Sequence, residues 1–188
     1  EIYFDEANKP HSILEIEGAK DIAIEFSSVS KSFSMAGCRV GFAAGNSVLI
    51  AALYKIKSYL DYGSFEPLQL VAIDALSKQS DEYLNNLRQR YCQRAKFLID
   101  LLDKELGWKV EMPKAGMFLW AKIPDNLFAQ TKTNNSFDFC KALIEETGVA
   151  FSAGSSFGSN GEGYVRMSLI RDETAMIEAV NRIKNIHY

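Results

Sequence analysis

The stretch "EFSSVSKSFSMAGCRVGF", residues 25–42, decides how the rest of the chain is read. An apolar run, "IAIEF" (22–26), leads into it and another, "VGFAAG" (40–45), leads out. Between them Lys31 stands among serines, and Arg39 follows eight residues later with Gly37 and Gly41 close by. The hydroxyls of Ser28 and Ser30 and the guanidinium of Arg39 are donors suited to a phosphate. Gly37 and Gly41 let the backbone bend and approach a ligand closely. A lysine at the mouth of a strand, drawn partly out of water, loses its proton more readily, and a neutral amine attacks carbonyls to form Schiff bases. The segment therefore offers a nucleophilic amine at one end and an anion clamp at the other, which a phosphorylated aldehyde would engage together. Read by spacing alone, a solvated Ser/Lys/Gly loop with an ordinary lysine fits the same residues.

The 188 residues suit one ordinary domain or parts of two. A hydrophobic content of 47% supports a packed core and excludes wholesale disorder. The net charge of −3 comes with no long Lys/Arg run, so nothing suggests a nucleic-acid or membrane-surface footprint. Cys38, Cys92 and Cys140 are scattered and odd in number, which suggests neither a disulfide framework nor a metal site and fits a reducing compartment. With no apolar run of membrane-spanning length and no signal peptide, the expected location is cytoplasmic. The chain opens on "EIYFDEANKP" without Met, as the end of a strand running into a turn, and reads as a piece of something longer.

Working outward, 22–26 and 40–45 read as strands with the lysine segment as a loop or short helical turn between them. Val48–Tyr59 reads as a helix, and "LQLVAIDALS" as a buried helix with Pro67 near its first turn. Residues 81–106 carry the clearest helical period, through Leu84, Leu87, Tyr91, Ala95, Leu98, Leu102 and Leu106, with Gly107 as a stop. "WKVEM" and "FLWAKI" read as strands, with Phe118 and Trp120 as core. A helix over 136–147 opens at Ser136, carries Phe139, Cys140, Leu143 and Ile144 on one face and ends at Gly148. "VAFSAG" and "YVRMSL" read as strands around a Gly/Ser-rich loop, and a last helix from Asp172 buries Met176, Ile177, Val180 and Ile183. The fold class is α/β: the tail of an α/β domain to about residue 75, a connecting helical stretch, then a small α+β domain.

The motif "SxSKSFSMAGxRVGF" resembles the cofactor-lysine segment of fold-type I pyridoxal-phosphate aminotransferases of class I/II. The resemblance runs over essentially the whole chain: "KIKSYLDYGSFEPLQ", "WKVEMPKAGMFLWAKIP" and "FGSNGEGYVRMSLI" are similar to segments of bacterial alanine (glutamate–pyruvate), aspartate and LL-diaminopimelate aminotransferases. It implies that residues 1–75 close the large domain that binds pyridoxal 5'-phosphate, that 76–107 are connecting helices, and that 108–188 are the small C-terminal domain. It further implies Lys31 as the residue that bonds to the cofactor and shuttles a proton, and Arg39, Ser28 and Ser30 as its phosphate ligands. L-Amino acids and 2-oxo acids are the implied substrates, with alanine and 2-oxoglutarate as the best pair, and a homodimer is implied for the whole protein.

Arg166 lies in a strand where Tyr164, Arg166 and Ser168 face one way and Val165, Met167 and Leu169 the other. An arginine there needs a partner. A structural salt bridge would serve, and so would a substrate carboxylate. The resemblance selects the carboxylate, because Arg166 falls on the family's α-carboxylate arginine; Arg171 reads as a surface charge. Tyr3 reads as a strand-end aromatic, since matching Phe4-Asp5 to the family's aromatic-Asp-Gly turn places the functional tyrosine before Glu1. His11 and His187 read as solvent-facing, and 61–64 resembles a loop that reaches a neighbouring subunit. Cys38 replaces the tryptophan and Ala153 the proline of many relatives, which leaves the substrate class open. The missing half of the family pattern should hold the partner of the pyridine nitrogen, so this piece alone is expected to be inactive and to hold the cofactor poorly. A carbon–sulfur β-lyase on the same scaffold, or a non-catalytic sensor domain of a transcription regulator, are the alternatives.

Overall fold

In the computed structural model, which describes residues 1–77 and 81–186, several helices start at polar caps written in the sequence, and strand boundaries depend on what each strand finds to pair with. The chain divides into two compact units, 6–87 with Glu1 and 88–188 with Ile2–Asp5.

The first unit opens with helix α1 (Ala19–Ile22), strand β1 (Ile24–Ser28), the single helical turn α2 (Val29–Ser32) and strand β2 (Gly41–Gly45). β1 starts two residues later than the apolar run does. Ile22 closes α1 instead, because the Ala23 N–H is committed to the Ala19 carbonyl at 2.8 Å. β1 and β2 pair antiparallel, Ile24 opposite Gly45 and Ser28 opposite Gly41. Helix α3 (Ser47–Leu60) starts where Asn46 Oδ1 accepts from the N–H groups of Val48 and Leu49, both at 3.0 Å. The Asn46 amide also donates to the Asp21 carbonyl at 2.8 Å, tying this start to α1. Helix α4 (Glu66–Ser77) is not the buried helix its composition suggests: Ala72 is buried, whereas Leu70, Val71 and Ile73 are exposed. An all-round apolar helix needs cover on every side. The residues of this unit cover one strip of it, in a core of Val29, Val40 and Ala72 against which Phe33, Met35, Cys38 and Leu68 pack.

Helix α5 (Asp81–Leu106) runs from the first unit into the second. Leu84, Leu87, Tyr91, Ala95, Leu98 and Leu102 are buried at the predicted three- and four-residue steps, with Leu106 half-buried, and Gly107 at φ +63° ends the helix. The second unit continues through β3 (Phe118–Lys122), α6 (Asp125–Gln130), α7 (Ser136–Thr147), β4 (Ser152–Ala153), β5 (Tyr164–Ser168) and α8 (Glu173–Lys184). Its sheet has the order β3-β5-β4 and is antiparallel throughout. Trp108, Phe139, Leu119, Leu143, Val165, Met167 and Ile183 make its core.

Three strand expectations fail here for one reason, that alternation does not say which neighbour is present. "WKVEM" forms no strand; it finds no ladder, and Trp108 instead sinks into the core and donates its indole N–H to the Lys122 carbonyl at 2.7 Å. "VAFSAG" pairs only at Ser152 and Ala153, after which the chain coils. On β3 the core face is Leu119 and Ala121, and Phe118 and Trp120 stand on the opposite face. Ile177, expected to be buried, is exposed at the margin of its helical stripe. α6 was not foreseen; Pro124 precedes it and no polar side chain caps it. α7 opens at Ser136 but its cap is Asn135, whose side chain accepts from the Asp138 N–H.

The loop 154–163 is pinned to the start of α7. Glu162 Oε1 accepts from the N–H groups of Ser136 (2.6 Å) and Gly163 (2.8 Å), and the fully buried Ser136 sets its hydroxyl 3.1 Å from that of Ser155. Within the loop Gly154 and Gly161 meet so closely that a Cβ on Gly154 would lie 2.1 Å from the Gly161 carbonyl oxygen and 2.7 Å from that of Tyr164. Gly154→Ala is therefore expected to destabilise the protein by about 1–3 kcal/mol or more. Gly37→Ala, with nothing near its Cβ, should be close to neutral; equal denaturation midpoints for the two variants would contradict this packing. The two N–H donors, that of Ser136 first, hold the Glu162 carboxyl below its ordinary value of 4.5. A depressed folded-state value means that the contribution is full above the unfolded value and fades as pH falls through the folded one. The stability gap between the natural chain and Glu162→Gln should therefore be constant well above the ordinary carboxyl value and shrink as pH falls below it, read from denaturant titrations across that range. A gap independent of pH would remove Glu162 from this role.

Candidate active site

Lys31 sits on the turn α2, directly after β1. Ser28, the last residue of β1, is extended (φ −150°, ψ 144°), and its hydroxyl caps the turn by accepting the Ser30 N–H at 3.1 Å. The same oxygen lies 3.0 Å from the Val40 carbonyl and 2.9 Å from the Ser30 hydroxyl, either of which can take its one proton. Ser28 thus straps the start of the loop to its end, over the buried side chains of Val29 and Val40. With Val29 and Ser32 turned inward, Lys31 is left exposed, and its amine engages no acidic side chain among the described residues. Arg39 is exposed as well and donates to the Ala36 carbonyl at 3.0 Å. No carboxylate pairs with it among the described residues, and its other N–H donors are unspent. Both Ser34 (φ +56°) and Arg39 (φ +55°) hold a left-handed backbone that non-glycine residues seldom adopt. Such strain gathers at ligand clamps.

Two cations without carboxylate partners among the described residues and the Ser30 hydroxyl, gathered on one strapped loop, fit a ligand that carries a phosphate and an aldehyde. Such a ligand needs no residue to leave a salt bridge, and Ser28 would join the phosphate donors by turning its one proton from the Val40 carbonyl.

Arg166 occupies the central strand of the other sheet. The register places Trp120 directly across from it on β3 and Ser152 directly across on β4, so the three form one row on one face. Its Nη2 donates to the Ser152 hydroxyl at 3.2 Å. Its guanidinium carbon lies over the ring of Phe118 at 4.3 Å and over that of Phe157 at 4.6 Å. Arg166 is half-buried, and among the described residues no carboxylate meets it, so the salt-bridge alternative finds no partner. Arg171 is exposed, at the rim of an apolar cavity of about 180 Å³ that does not include Arg166. That cavity is lined by core side chains such as Leu102, Met167 and Val180 and bears no group suited to the chemistry of Lys31.

Other residues fall outside these two sites. Tyr3 is buried under the Arg88 guanidinium (3.9 Å), and its backbone bridges to Ala115, as a strand-end aromatic would. His11 is solvent-facing and hydrogen-bonds Glu15 at 3.0 Å; His187 lies outside the described residues. In the 61–64 loop Asp61 is bound by Lys57 (2.5 Å) and the Gly63 N–H (2.9 Å), contacts that lower its carboxyl pKa, while Tyr62 is fully out in solvent. Cys38 packs on the core of the first unit. Phe118, Phe157 and Ser152 around Arg166 were not read from the sequence. Ser152 and Phe118 become its neighbours only through a register that sequence does not specify, and the one usable signal was a lone phenylalanine within a Gly/Ser-rich loop. Among the described residues no His, Cys, Asp and Glu cluster could hold a metal, and no helix is long and apolar enough to cross a membrane.

The model of the family "Aminotransferase class I and II" matches residues 1–183. Among curated proteins the chain is 44% identical to the putative aminotransferase AatC of Rhizobium meliloti over 98% of its own length and 44% of the relative's. It is 42% identical to an LL-diaminopimelate aminotransferase of Nitratidesulfovibrio vulgaris (99% and 46%) and 43% identical to the glutamate-pyruvate aminotransferase AlaC of Escherichia coli (94% and 41%). The chain thus spans a little under half the length of these relatives. Among solved structures, substrate-bound BacF from Bacillus subtilis superposes with a TM-score of 0.90 at 38% identity, over 99% of this chain and 45% of that one. An aromatic aminotransferase from Pyrococcus horikoshii superposes with a TM-score of 0.84 at 27% identity, over 98% and 48%. Proteins of this family use pyridoxal 5'-phosphate, and the Lys31 loop has the donors to hold it. With the family match running over nearly all of its residues, the chain belongs to the class I and II aminotransferases.

Proposed function

We propose that the protein transfers an amino group from an L-amino acid to a 2-oxo acid, with this chain supplying the lysine, part of the phosphate clamp and the carboxylate grip. The observation that carries the reading is the strapped loop on which Lys31 and Arg39 stand without acidic partners among the described residues. Arg39, Ser28 and Ser30 would hold the phosphate of pyridoxal 5'-phosphate, and Lys31 would be the amine that engages its aldehyde. When bound, the cofactor would supply an electron sink for the bond broken at the substrate α-carbon. As a free amine, Lys31 would be the base that takes and returns the proton. Arg166 grips the α-carboxylate in two parallel hydrogen bonds. Donor and acceptor visit the same site in turn, so one amino acid and one 2-oxo acid enter and one of each leaves.

Alanine and 2-oxoglutarate are the proposed pair. The likeness to the Escherichia coli glutamate-pyruvate aminotransferase supports it, with LL-diaminopimelate and aspartate as the next donors to try. A cytoplasmic homodimer is the proposed working form. Exposed Tyr54, Ile56, Tyr59 and Leu60 along α3 are the kind of surface that an assembly covers. Light scattering of the purified full-length protein should return twice the chain mass; a monomer that is fully active would refute the dimer.

The chemistry is tested in the full-length protein. Borohydride reduction in the presence of pyridoxal 5'-phosphate, followed by peptide mass analysis, should place the adduct on Lys31. Lys31→Ala should lose the adduct and about 10²–10⁴-fold or more in pyruvate formation from L-alanine and 2-oxoglutarate. Arg39→Ala should weaken cofactor binding by about tenfold to a hundredfold, as expected for lost charge-assisted hydrogen bonds. An adduct on another lysine would overturn the site, whereas a Lys31 adduct without pyruvate formation would overturn only the substrate pair.

A further inference from the structure

We propose that Phe118 and Phe157 are positioning residues that hold the Arg166 guanidinium in place and thereby set its affinity for a carboxylate. This rests on the reading of Arg166 as the carboxylate grip.

Arg166 is half-buried with no acidic partner among the described residues, and holding its long side chain in one pose costs conformational entropy. Here two aromatic rings hold the pose. The ring of Phe118 lies 4.3 Å and that of Phe157 4.6 Å from Cζ, both inside the range of cation–π attraction. These contacts add no oxygen acceptor to compete for the N–H donors. The Ser152 hydroxyl takes one Nη2 donor. The donors that remain suit a planar, two-oxygen anion such as a carboxylate.

The two rings arrive by separate routes. Phe118 stands two residues from Trp120, the direct cross-strand partner of Arg166, and so reaches it diagonally on the same face. Phe157 ends the helical turn Gly154–Phe157 in the loop pinned to α7 through Ser136, Ser155 and Glu162. It is also braced edge-on by Trp120 at 5.7 Å, and Trp120 in turn stacks on Tyr164 at 5.7 Å. Yet Phe157 is 52% exposed and Trp120 42%. A phenylalanine fixed by this many contacts and still half in water contributes little to a core. It has the exposure of a site wall.

Phe157 therefore carries the test, because its removal spares the core. The cofactor-loaded full-length protein is assayed with each of L-alanine, L-aspartate and LL-diaminopimelate, and KM and kcat are followed for every donor that it turns over. Phe157→Leu should raise KM about three- to thirtyfold, with kcat within about twofold and an unchanged melting midpoint. Phe157→Tyr, which keeps the ring, should restore the natural KM. In an Arg166→Gln background, Phe157→Leu should add nothing further, as a pair acting through one group requires. An unchanged KM in Phe157→Leu, or the same increase with and without Arg166, would overturn the clamp while leaving Arg166 as the grip. Arg166→Gln with the natural KM for every donor would overturn the grip itself, and the clamp with it.

Discussion

Antiparallel pairing of Ser28 with Gly41 closes the loop on which the first site is built, and much of that unit's local structure follows from this closure. Once the two strands are joined, the residues between them must turn back within a short span. A single helical turn after β1 sends Val29 inward and Lys31 outward, and the Ser28 hydroxyl ties that turn to the Val40 carbonyl. The return path is tight enough to force Ser34 and Arg39 into left-handed backbone. The strain keeps Arg39 on the exposed side of the loop, where its guanidinium meets the Ala36 carbonyl and no carboxylate. Local geometry, more than deep burial, defines the donor set.

The second site depends on a different constraint, the register of β3, β5 and β4. Arg166 lies opposite both Trp120 and Ser152 only because Val165 and Met167 are committed to the core on the other face. A slip of one residue would bury the arginine and expose Met167. The core of the second unit, from Trp108 and Phe139 to Leu119 and Val165, therefore fixes the row in which the arginine stands. The pinned loop 154–163 then adds Phe157 from outside the sheet.

The contrast explains what sequence could and could not disclose. Lys31, Ser28, Ser30 and Arg39 lie within a dozen residues, so their grouping was legible as a motif, and helix α5 was legible because its period repeats through several turns. The alternation around Arg166 was legible too, and it correctly separated Val165 and Met167 from the arginine's face. The same alternation misassigned Phe118 and Trp120, since a period of two names two faces without saying which is buried. "WKVEM" alternates as well and finds no ladder, because a strand is a property of a pair. α4 shows the opposite limit: its residues read as buried, but burial depends on what covers them, and within its unit only a strip including Ala72 is covered.

The two sites also differ in what they must tolerate. A phosphate clamp serves one resident group, so its donors can converge on a single geometry, as the strapped Ser28–Val40 loop permits. On the proposed reading, Arg166 would receive an amino acid and then a 2-oxo acid, which share the α-carboxylate, and would have to release each. Carboxylate partners within the protein would hold such an arginine still, but they would compete for the N–H edge the substrate needs. Aromatic rings can hold it without that competition, and one hydroxyl, Ser152, takes a single donor. A ring-held arginine is thus the arrangement in which rigidity and free donors coexist.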